Sequence, residues 1–339
     1  KNLQPAKSII AVLLLPMQLL LIPVVGLQLT QPTPHARLVF VRHGQSTFNA
    51  AKRFTGWSDA PLTDLGRAEA AAGGRALARH GLGPFDVVFT SRLQRAQDTA
   101  DIVLDHCQQS RPPVLCHWRL NERHYGALTG RSKAEVAREY GTEVVKQWRT
   151  ALDMPPPRCS ESHPAFPGNM PEYADVPAHL LPRGECLRDT QARCLPFFRA
   201  HVEPELRAGR TVLVAAHGHI VRALVMALED LSEDEVMAMN VQNGVPLVYG
   251  LDAQLRPITH AAWLHENEGQ RSVDPNRSKD PMNQEQWHAL GHALSLAAKA
   301  VIDADANEHA QGAVAAHVPV AHAMGRATTR GSDRDALAP

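Results

Sequence analysis

The chain has 339 residues, with 35 basic and 35 acidic side chains, so its formal net charge at pH 7 is zero. A balanced charge gives no general attraction to nucleic acids or anionic membranes, so any anion must be bound by local arginine clusters. This length suits one large or two small domains. The five cysteines form no C-x-x-C pair, which indicates reduced thiols in a cytosolic protein rather than a disulfide framework.

The N-terminal segment does not fit this cytosolic pattern. Residues 8–30 are almost continuously apolar and follow two lysines, and their length suits a membrane span or a signal-like segment. Pro16 and Pro23 disfavour a regular helix there, and no A-x-A cleavage pattern is present. Because the first residue is Lys rather than Met, we favour a mis-assigned or untranslated extension, with an anchor or export signal as the alternative.

Strands and helices alternate after this segment. An apolar run at 37–41 predicts a buried strand, and Thr63 is the predicted N-cap of an alanine-rich helix that ends before Gly81. Residues 86–90 predict a second strand, and Ser91 is the expected cap of a helix whose apolar residues recur at helical spacing. This alternation predicts βαβ units around a mostly parallel sheet.

The same alternation returns after a long interruption. Residues 150–183 are rich in Pro, His and Ser and are expected to run over the surface, where substrate loops often lie. A helix is expected over 187–207, a strand over 211–216, a helix from about 220 to 229, and a last short strand at 247–249. The predicted fold is an α/β three-layer sandwich with helices on both faces of the sheet.

The sequence predicts three segments. Residues 1–35 are the apolar extension and a linker, residues 36–258 the catalytic domain, and residues 259–339 a loosely ordered, partly helical tail. An amphipathic helix is expected over 286–303, and it carries two histidines four residues apart. That spacing is a weak metal-binding signal without a carboxylate or thiol partner, so we expect no metal site there.

Two His-Gly pairs, at His43 and His217, each follow a predicted strand. Because carboxyl ends of parallel strands meet at one edge of a sheet, both histidines are expected in one pocket. A neutral imidazole can attack phosphorus, and histidine is largely neutral at cytosolic pH. An arginine guanidinium group can bind two phosphate oxygens at once. The candidates are Arg42 and, in the first turn of a helix, Arg92 and Arg95. The pattern predicts phosphoryl transfer through a phosphohistidine, although each residue taken singly is equally compatible with a structural role.

Four sequence blocks carry a more specific signal. They are LVFVRHGQSTFNAAKRFTGW at 38–57, TSRLQRA at 90–96, LNERHYGALTGRSK at 120–133, and AAHGHIVRAL at 215–224 with NGVPLVY at 243–249 beyond it. With these blocks, in this order, the chain resembles the cofactor-dependent phosphoglycerate mutases of the histidine phosphatase superfamily. The whole superfamily shares Arg-His-Gly, whereas the RFTGW and NERHYG segments favour the mutase branch.

The resemblance implies a role for each matching residue. The implied catalytic set is His43, Arg42, Arg95, Glu122 and His217, with His43 phosphorylated. The implied substrate-binding set is Asn49, Thr55, Gly56, Tyr125, Lys133, Arg149, Gly218 and His219. Glu122 would donate and accept the proton of the substrate hydroxyl, and we expect burial and phosphate charge to raise its pKa. The alternative for Glu122 is a structural ion pair with Arg119 or Arg123.

The resemblance also implies an activity. The enzyme would interconvert 3-phosphoglycerate and 2-phosphoglycerate, as an isomerase of glycolysis and gluconeogenesis, with 2,3-bisphosphoglycerate as phosphoryl primer and no metal. Its partners would be small phosphoglycerates and further copies of itself in a dimer or tetramer, without nucleic acid. It would be cytoplasmic, with a membrane involved only through residues 8–30. The alternatives are a phosphomonoesterase on the same scaffold and, less favoured, a non-catalytic anion-binding relative.

Four residues depart from the mutase pattern. Gln45 stands where the mutases usually have Glu, and Thr150 stands where a second arginine normally follows Arg149. His219 and Ile220 replace the usual Asn-Ser pair. The loss of one cation, together with an unfamiliar tail, motivates the phosphatase alternative, in which water takes the phosphoryl group.

Overall fold

A computed structural model describes residues 33–107, 109, 111–258 and 261–266. The apolar N-terminal segment and the helix expected over 286–303, with its histidine pair, lie outside these residues. Within the described part, no helix is long and apolar enough to cross a membrane.

The described residues contain one mixed sheet. Its strands are β1 (Ala36–Arg42), β2 (Val87–Thr90), β3 (Val114–Cys116), β4 (Thr211–Ala216), β5 (Pro246–Leu251) and β6 (Ala262–Trp263), in the spatial order β3-β2-β4-β1-β5-β6. The first four are parallel, whereas β5 is antiparallel to β1 and β6 to β5. The expected α/β fold is confirmed. The sequence did not predict β3 and β6, because two or three residues are too few to show a period.

Helices connect the strands. They are α1 (Thr47–Ala50), α2 (Asp64–Arg79), α3 (Gln94–His106), α4 (Lys133–Tyr140), α5 (Thr142–Thr150), α6 (Leu187–Phe197), α7 (Glu203–Arg207), α8 (Gly218–Glu229) and α9 (Glu233–Ala238). The segment expected as one helix over 187–207 is helical throughout, with a π-helical turn at Phe198–Val202 between α6 and α7.

The predicted helix caps differ in outcome. The Thr63 hydroxyl accepts a hydrogen bond from the backbone N–H of Gly66 at 3.1 Å, so the cap of α2 is confirmed. The cap predicted at Ser91 is wrong, since α3 begins at Gln94 with Leu93 as its N-cap. The Ser91 hydroxyl accepts from the backbone N–H of Leu93 and lies against His217 instead.

Successive residues of β1 face opposite sides of the sheet, as the period of a strand requires. Leu38 and Phe40 are buried in a cluster with side chains from α6, α7 and α8. Val39 and Val41 are buried in a second cluster with side chains from α2 and α3. Helices therefore cover both faces of the sheet, and its carboxyl edge stays open for polar residues.

The excursion over 150–183 is more than a surface loop. It contains short 3₁₀ turns at Pro167–Asn169, Pro171–Tyr173 and Ala178–Leu180. Its apolar side chains pack around Trp57 in a separate buried cluster, together with Trp118, Cys159, Phe166, Tyr173, Val176 and Leu181. The indole N–H of Trp57 donates to the carbonyl of Glu122 at 2.6 Å, so this cluster supports the segment that carries Glu122.

We expect Gly73→Ala to destabilise the protein, although alanine is the better helix former by about 1 kcal/mol. A Cβ at Gly73 on α2 would lie 2.1 Å from the carbonyl oxygen of Gly244, a backbone atom that cannot rotate away. The expected loss is about 1–3 kcal/mol, measured as a lower urea midpoint at unchanged m-value. Ala68→Ser at an exposed position of the same helix should stay within about 0.5 kcal/mol. Equal midpoints for both variants would contradict this packing.

Candidate active site

The carboxyl ends of β1 and β4 bring two histidines together. Arg42 is in register with Ala216, so the next residues, His43 and His217, follow neighbouring strand ends. Their imidazole centroids are 5.0 Å apart. Side-chain nitrogen and oxygen atoms of these histidines and of Glu122 lie within 4.8 Å of one another. Residues from three distant parts of the sequence thus form one buried group.

The imidazole of His43 is held in one tautomer. Its Nδ1 lies 2.7 Å from the carbonyl oxygen of Gly44, and since a carbonyl can only accept, Nδ1 carries the proton. The Nε2 atom then holds the free lone pair. Burial, followed by the charges of Arg95 and Arg42, keeps the pKa of His43 well below its usual value. His43 is therefore neutral at physiological pH, and its Nε2 lone pair is available for nucleophilic attack.

His217 lies beside it, as the residue before α8. Its Nε2 is 2.8 Å from the hydroxyl of Ser91, at the end of β2. Burial, with the charges of Arg95 next, also keeps the pKa of His217 well below its usual value. The Nδ1 of His217 is buried without a hydrogen-bond partner among the described residues.

Two arginines flank these imidazoles and carry unused donors. Arg95 is fully buried on α3, and its terminal nitrogens donate to the carbonyls of Gly56 and Ser58, each at 2.9 Å. Burial lowers the pKa of Arg95 to about 10, so it stays charged at neutral pH. Arg42 donates to the Val241 carbonyl at 2.8 Å. In the described part of the chain, the Nε groups of both arginines are buried without partners, and an anion would satisfy them.

Glu122 is the acidic side chain of this group. Burial raises its pKa, but the neighbouring His219 and His217 and the N–H of Arg123 hold that pKa well below its usual range. The expected upward shift is therefore wrong for the unliganded site, where Glu122 is ionised. The alternative ion pair is absent as well, because the Arg119 and Arg123 guanidinium groups stack over aromatic rings of Trp118 and Tyr125.

A cavity of about 220 Å³ opens beside the two histidines. It is lined by Arg42, His43, Asn49, Arg53, Phe54, Thr55, Arg95, Glu122, Tyr125, Lys133, Arg149, Thr150, Gly218, His219, Arg222 and Met237. Arginine and lysine supply six of these side chains, whereas Glu122 is the one carboxylate among them. Two imidazoles and a carboxylate are possible metal ligands, but the surrounding cations make this cavity electrostatically suited to an anion.

Most residues implied by the resemblance line this cavity, and the exceptions are informative. Gly56 is not among the lining residues, and its carbonyl holds Arg95 instead. Its φ of +52° favours glycine. Arg92 pairs with Asp175 at 2.6 Å outside the cavity, so the expectation that it would contact the phosphate is wrong. His217 lies behind the lining, against His43.

The sequence analysis missed two lining cations, Arg53 and Arg222. Arg222 lies four residues after Gly218 on α8, a spacing that places both on one helix face and was a usable signal. Burial lowers the pKa of Arg222. Arg53 directly precedes the FTGW segment, and its guanidinium donates to the Gly130 carbonyl at 2.7 Å.

The residues that depart from the mutase pattern differ in how close they lie to the catalytic group. Gln45 is outside the lining, and its side-chain oxygen accepts from the Thr63 hydroxyl at 3.0 Å. Thr150 lines the cavity, and its hydroxyl donates to the Lys146 carbonyl at 2.9 Å. His219 touches Glu122 directly, with Nδ1 3.1 Å from the carboxylate. The last departure therefore has the most direct chemical consequence.

A buried ion pair fixes the segment that carries Glu122. Arg193 on α6 pairs with Glu185 at 2.7 Å, and both side chains are almost fully buried. The same guanidinium donates to the carbonyls of Arg119 and Asn121 at 2.8 and 3.1 Å and to that of Glu122 at 3.3 Å. The segment thus takes its shape from a rigid charged anchor rather than from regular secondary structure.

Comparison with known families shows which family this chain belongs to. The family model of the histidine phosphatase superfamily, branch 1, matches residues 38–170 and 159–255, well over half of the chain. The chain belongs to this superfamily.

Solved structures agree on the fold of this superfamily member. Mycobacterial hydrolase 1 is 24% identical, with 70% of this chain and 100% of that chain covered and a TM-score of 0.50. Bacillus stearothermophilus YhfR is also 24% identical, with 70% and 98% covered and a TM-score of 0.50. A mycobacterial glucosyl-3-phosphoglycerate phosphatase is 27% identical over 63% and 92%, with a TM-score of 0.48. The first two likenesses support the fold and no particular substrate.

We expect His43 to stay neutral in the unliganded protein from about pH 8 to about pH 5.5, where a free imidazole would be mostly protonated. Its burial between two arginines causes this resistance. The ring ¹⁵N shifts in a pH titration by NMR measure it, with the resonance assigned by its loss in His43→Ala. A titration midpoint near 6.5 would contradict the burial of this ring beside Arg42 and Arg95.

We expect Glu185→Gln to cost about 3–5 kcal/mol, because it leaves the buried charge of Arg193 unpaired. Asp153→Asn is the matched control, since it breaks the pair with Arg188, in which both side chains are more than half exposed. That control should leave the free energy of unfolding close to the wild-type value, because solvent screens an exposed ion pair. Denaturant unfolding of both variants measures the difference, and similar losses would show that the buried pair is no special anchor.

Proposed function

We propose that this enzyme transfers phosphoryl groups through a phosphohistidine at His43. The observation that carries the proposal is the pair of unsatisfied, buried Nε–H groups of Arg42 and Arg95 beside a neutral His43. A phosphoryl group bound there would accept both hydrogen bonds and balance both charges. The free Nε2 lone pair of His43 lies where a nucleophile is needed.

The first step moves a phosphoryl group onto His43. Its Nε2 lone pair forms the N–P bond, while the bond from phosphorus to the ester oxygen breaks. The leaving oxygen takes a proton from an acid in the site, and His217 and the arginines stabilise charge on the equatorial oxygens. Arg95 is anchored to two backbone carbonyls, so it needs little reorganisation as that charge develops.

We propose phosphoglycerate as the substrate and a second hydroxyl as the acceptor, which makes the enzyme a phosphoglycerate mutase. Lys133, Arg149, Arg53 and Arg222 line the same cavity as the catalytic group. A phosphoglycerate carries a phosphate and a carboxylate, and cations contributed by several elements suit such a doubly anionic ligand. Burial, followed by the charges of Arg149 and Arg42, lowers the pKa of Lys133, as expected for a buried cation in a site that binds anions.

In this proposal 2,3-bisphosphoglycerate primes His43, and 3-phosphoglycerate and 2-phosphoglycerate are interconverted without a metal. The phosphoenzyme passes its phosphoryl group to the free hydroxyl, and the bound bisphosphate reorients and returns the other group to His43. A cytoplasmic location, which the cysteine pattern also favours, and a dimer or tetramer belong to the same proposal. The oligomeric state rests on the resemblance alone.

Hydrolysis is the second candidate function, with water as the acceptor from phospho-His43. The superfamily is named for phosphatases, and the family match favours this candidate over the mutase. Thr150 supports it too, since it lines the cavity where the mutase pattern has a cation. Both candidates share the phosphohistidine and Glu122 as proton carrier, and they differ in what takes the phosphoryl group.

The deciding experiment supplies 3-phosphoglycerate with and without 2,3-bisphosphoglycerate and follows 2-phosphoglycerate and free phosphate together. Primer-dependent 2-phosphoglycerate with little phosphate is the expected result. Phosphate without isomerisation, extending to other phosphomonoesters, would establish the phosphatase instead.

We expect His43→Ala to lower either activity by more than about 1,000-fold, because it removes the nucleophile itself. Acid-labile, base-stable label from ³²P-bisphosphoglycerate should appear on the wild-type protein and not on the variant. Full activity in His43→Ala would end the proposal, and failure to label the wild type would favour a non-catalytic anion-binding protein.

A further inference from the structure

The two oxygens of the Glu122 carboxylate differ in their hydrogen bonding. Its Oε1 accepts from the backbone N–H of Arg123 at 2.8 Å, and from Nδ1 and the backbone N–H of His219 at 3.1 and 3.3 Å. Within the described residues, no donor makes a hydrogen bond to Oε2. One oxygen is therefore anchored by three donors, while the other is left for chemistry.

His219 reaches this carboxylate from the first turn of α8. Its side chain is mostly buried, lines the cavity, and stands edge-on to the ring of Tyr125 at 6.2 Å. An ionised carboxylate can only accept, so Nδ1 of His219 carries a proton. Burial, with the charge of Arg123 next, lowers the pKa of His219 to about 4, which leaves a neutral ring that donates through Nδ1.

Charged and titratable groups face this pair from every element packed around it. They are Arg42 at the end of β1 and His43 after it, Arg95 on α3, Arg123 and Tyr125 in the segment after Glu122, Arg193 on α6, His217 just before α8 and Arg222 on α8. The arginines already favour the ionised carboxylate. What the His219 imidazole adds is a third donor on the oxygen that two backbone N–H groups already hold, and this side-chain donor completes the anchoring of Oε1.

We propose that His219 is a positioning residue that locks Oε1 of Glu122 and thereby presents Oε2 to the hydroxyl that receives the phosphoryl group. This inference rests on the proposed function and holds for either acceptor. As the acceptor oxygen forms its bond to phosphorus, its proton passes to Oε2. The N–P bond breaks and its electron pair returns to Nε2 of His43, which regenerates the neutral ring.

Three substitutions distinguish the contribution of the Nδ1 hydrogen bond from that of the rest of the imidazole ring. In asparagine the amide nitrogen is bonded to Cγ, as Nδ1 is in histidine, so His219→Asn retains a donor at that place. Glutamine carries its amide one bond further out, so His219→Gln keeps the polarity but misplaces the donor. His219→Leu removes the donor at similar volume. His179→Asn, at an exposed position outside the cavity, is the control for losing a histidine.

We expect His219→Leu and His219→Gln to lower kcat by about 10- to 100-fold at neutral pH, part of what a general base contributes. Because hydrogen bonds to the ionised form lower a carboxyl pKa, their loss should move the acid limb of the kcat profile up by about one pH unit. His219→Asn should recover kcat to within about 3-fold and restore the limb. His179→Asn should match the wild type.

The measurements are kcat, KM and the pH profile with the acceptor that the wild type uses, beside ³²P labelling of His43 in every variant. Normal labelling with an unshifted acid limb in the Leu and Gln variants would overturn the inference and leave the proposed function standing. An Asn variant with the kcat and acid limb of the Leu variant would overturn it in the same way. No labelling of the wild type would instead refute the proposed function, so the two failures are distinguishable.

Discussion

Arg95 is fully buried, yet its terminal nitrogens hydrogen bond to backbone carbonyls, those of Gly56 and Ser58. A buried charge without a matching carboxylate in contact is costly, and a bound anion would supply the missing charge. Arg42, with its own buried and unpaired Nε, adds to the same imbalance. The rest of the site follows from this constraint. Beside these charges the imidazoles stay neutral, Glu122 stays ionised, and the cavity attracts an anion.

The scaffold keeps this excess charge from disrupting the fold. The parallel strands fix the histidines through backbone register, with the N–H of His43 donating to the carbonyl of Ala216 at 3.0 Å. The segment with Glu122 has little regular structure, and it is held by the buried pair of Arg193 and Glu185 and by Trp57. Sheet hydrogen bonds thus hold the neutral histidines, whereas a buried ion pair holds the segment that carries the ionised Glu122.

The state of Glu122 depends on what occupies the cavity. In the unliganded site, its histidine and backbone donors hold the pKa of Glu122 low, which suits a base. A bound phosphoryl group would bring negative charge close to it and raise that pKa, which suits an acid. In the proposed cycle Glu122 would release and recover a proton, and the charge of the ligand would supply the shift in pKa that this requires.

The sequence by itself determined the strand and helix alternation, the α/β class, and the two histidines at strand ends, because those are local patterns with short periods. Through the mutase-like blocks, it also identified His43 and Glu122 as candidate catalytic residues. The resemblance already implied Arg95 in the site, and only the tertiary structure decided that Arg92, three residues earlier, pairs with Asp175 outside the cavity. It likewise decided that Gly56 supports Arg95, that Arg222 joins the lining, and that His219 holds Glu122. These outcomes depend on contacts between residues far apart in the chain, and no local period encodes which way a side chain turns there.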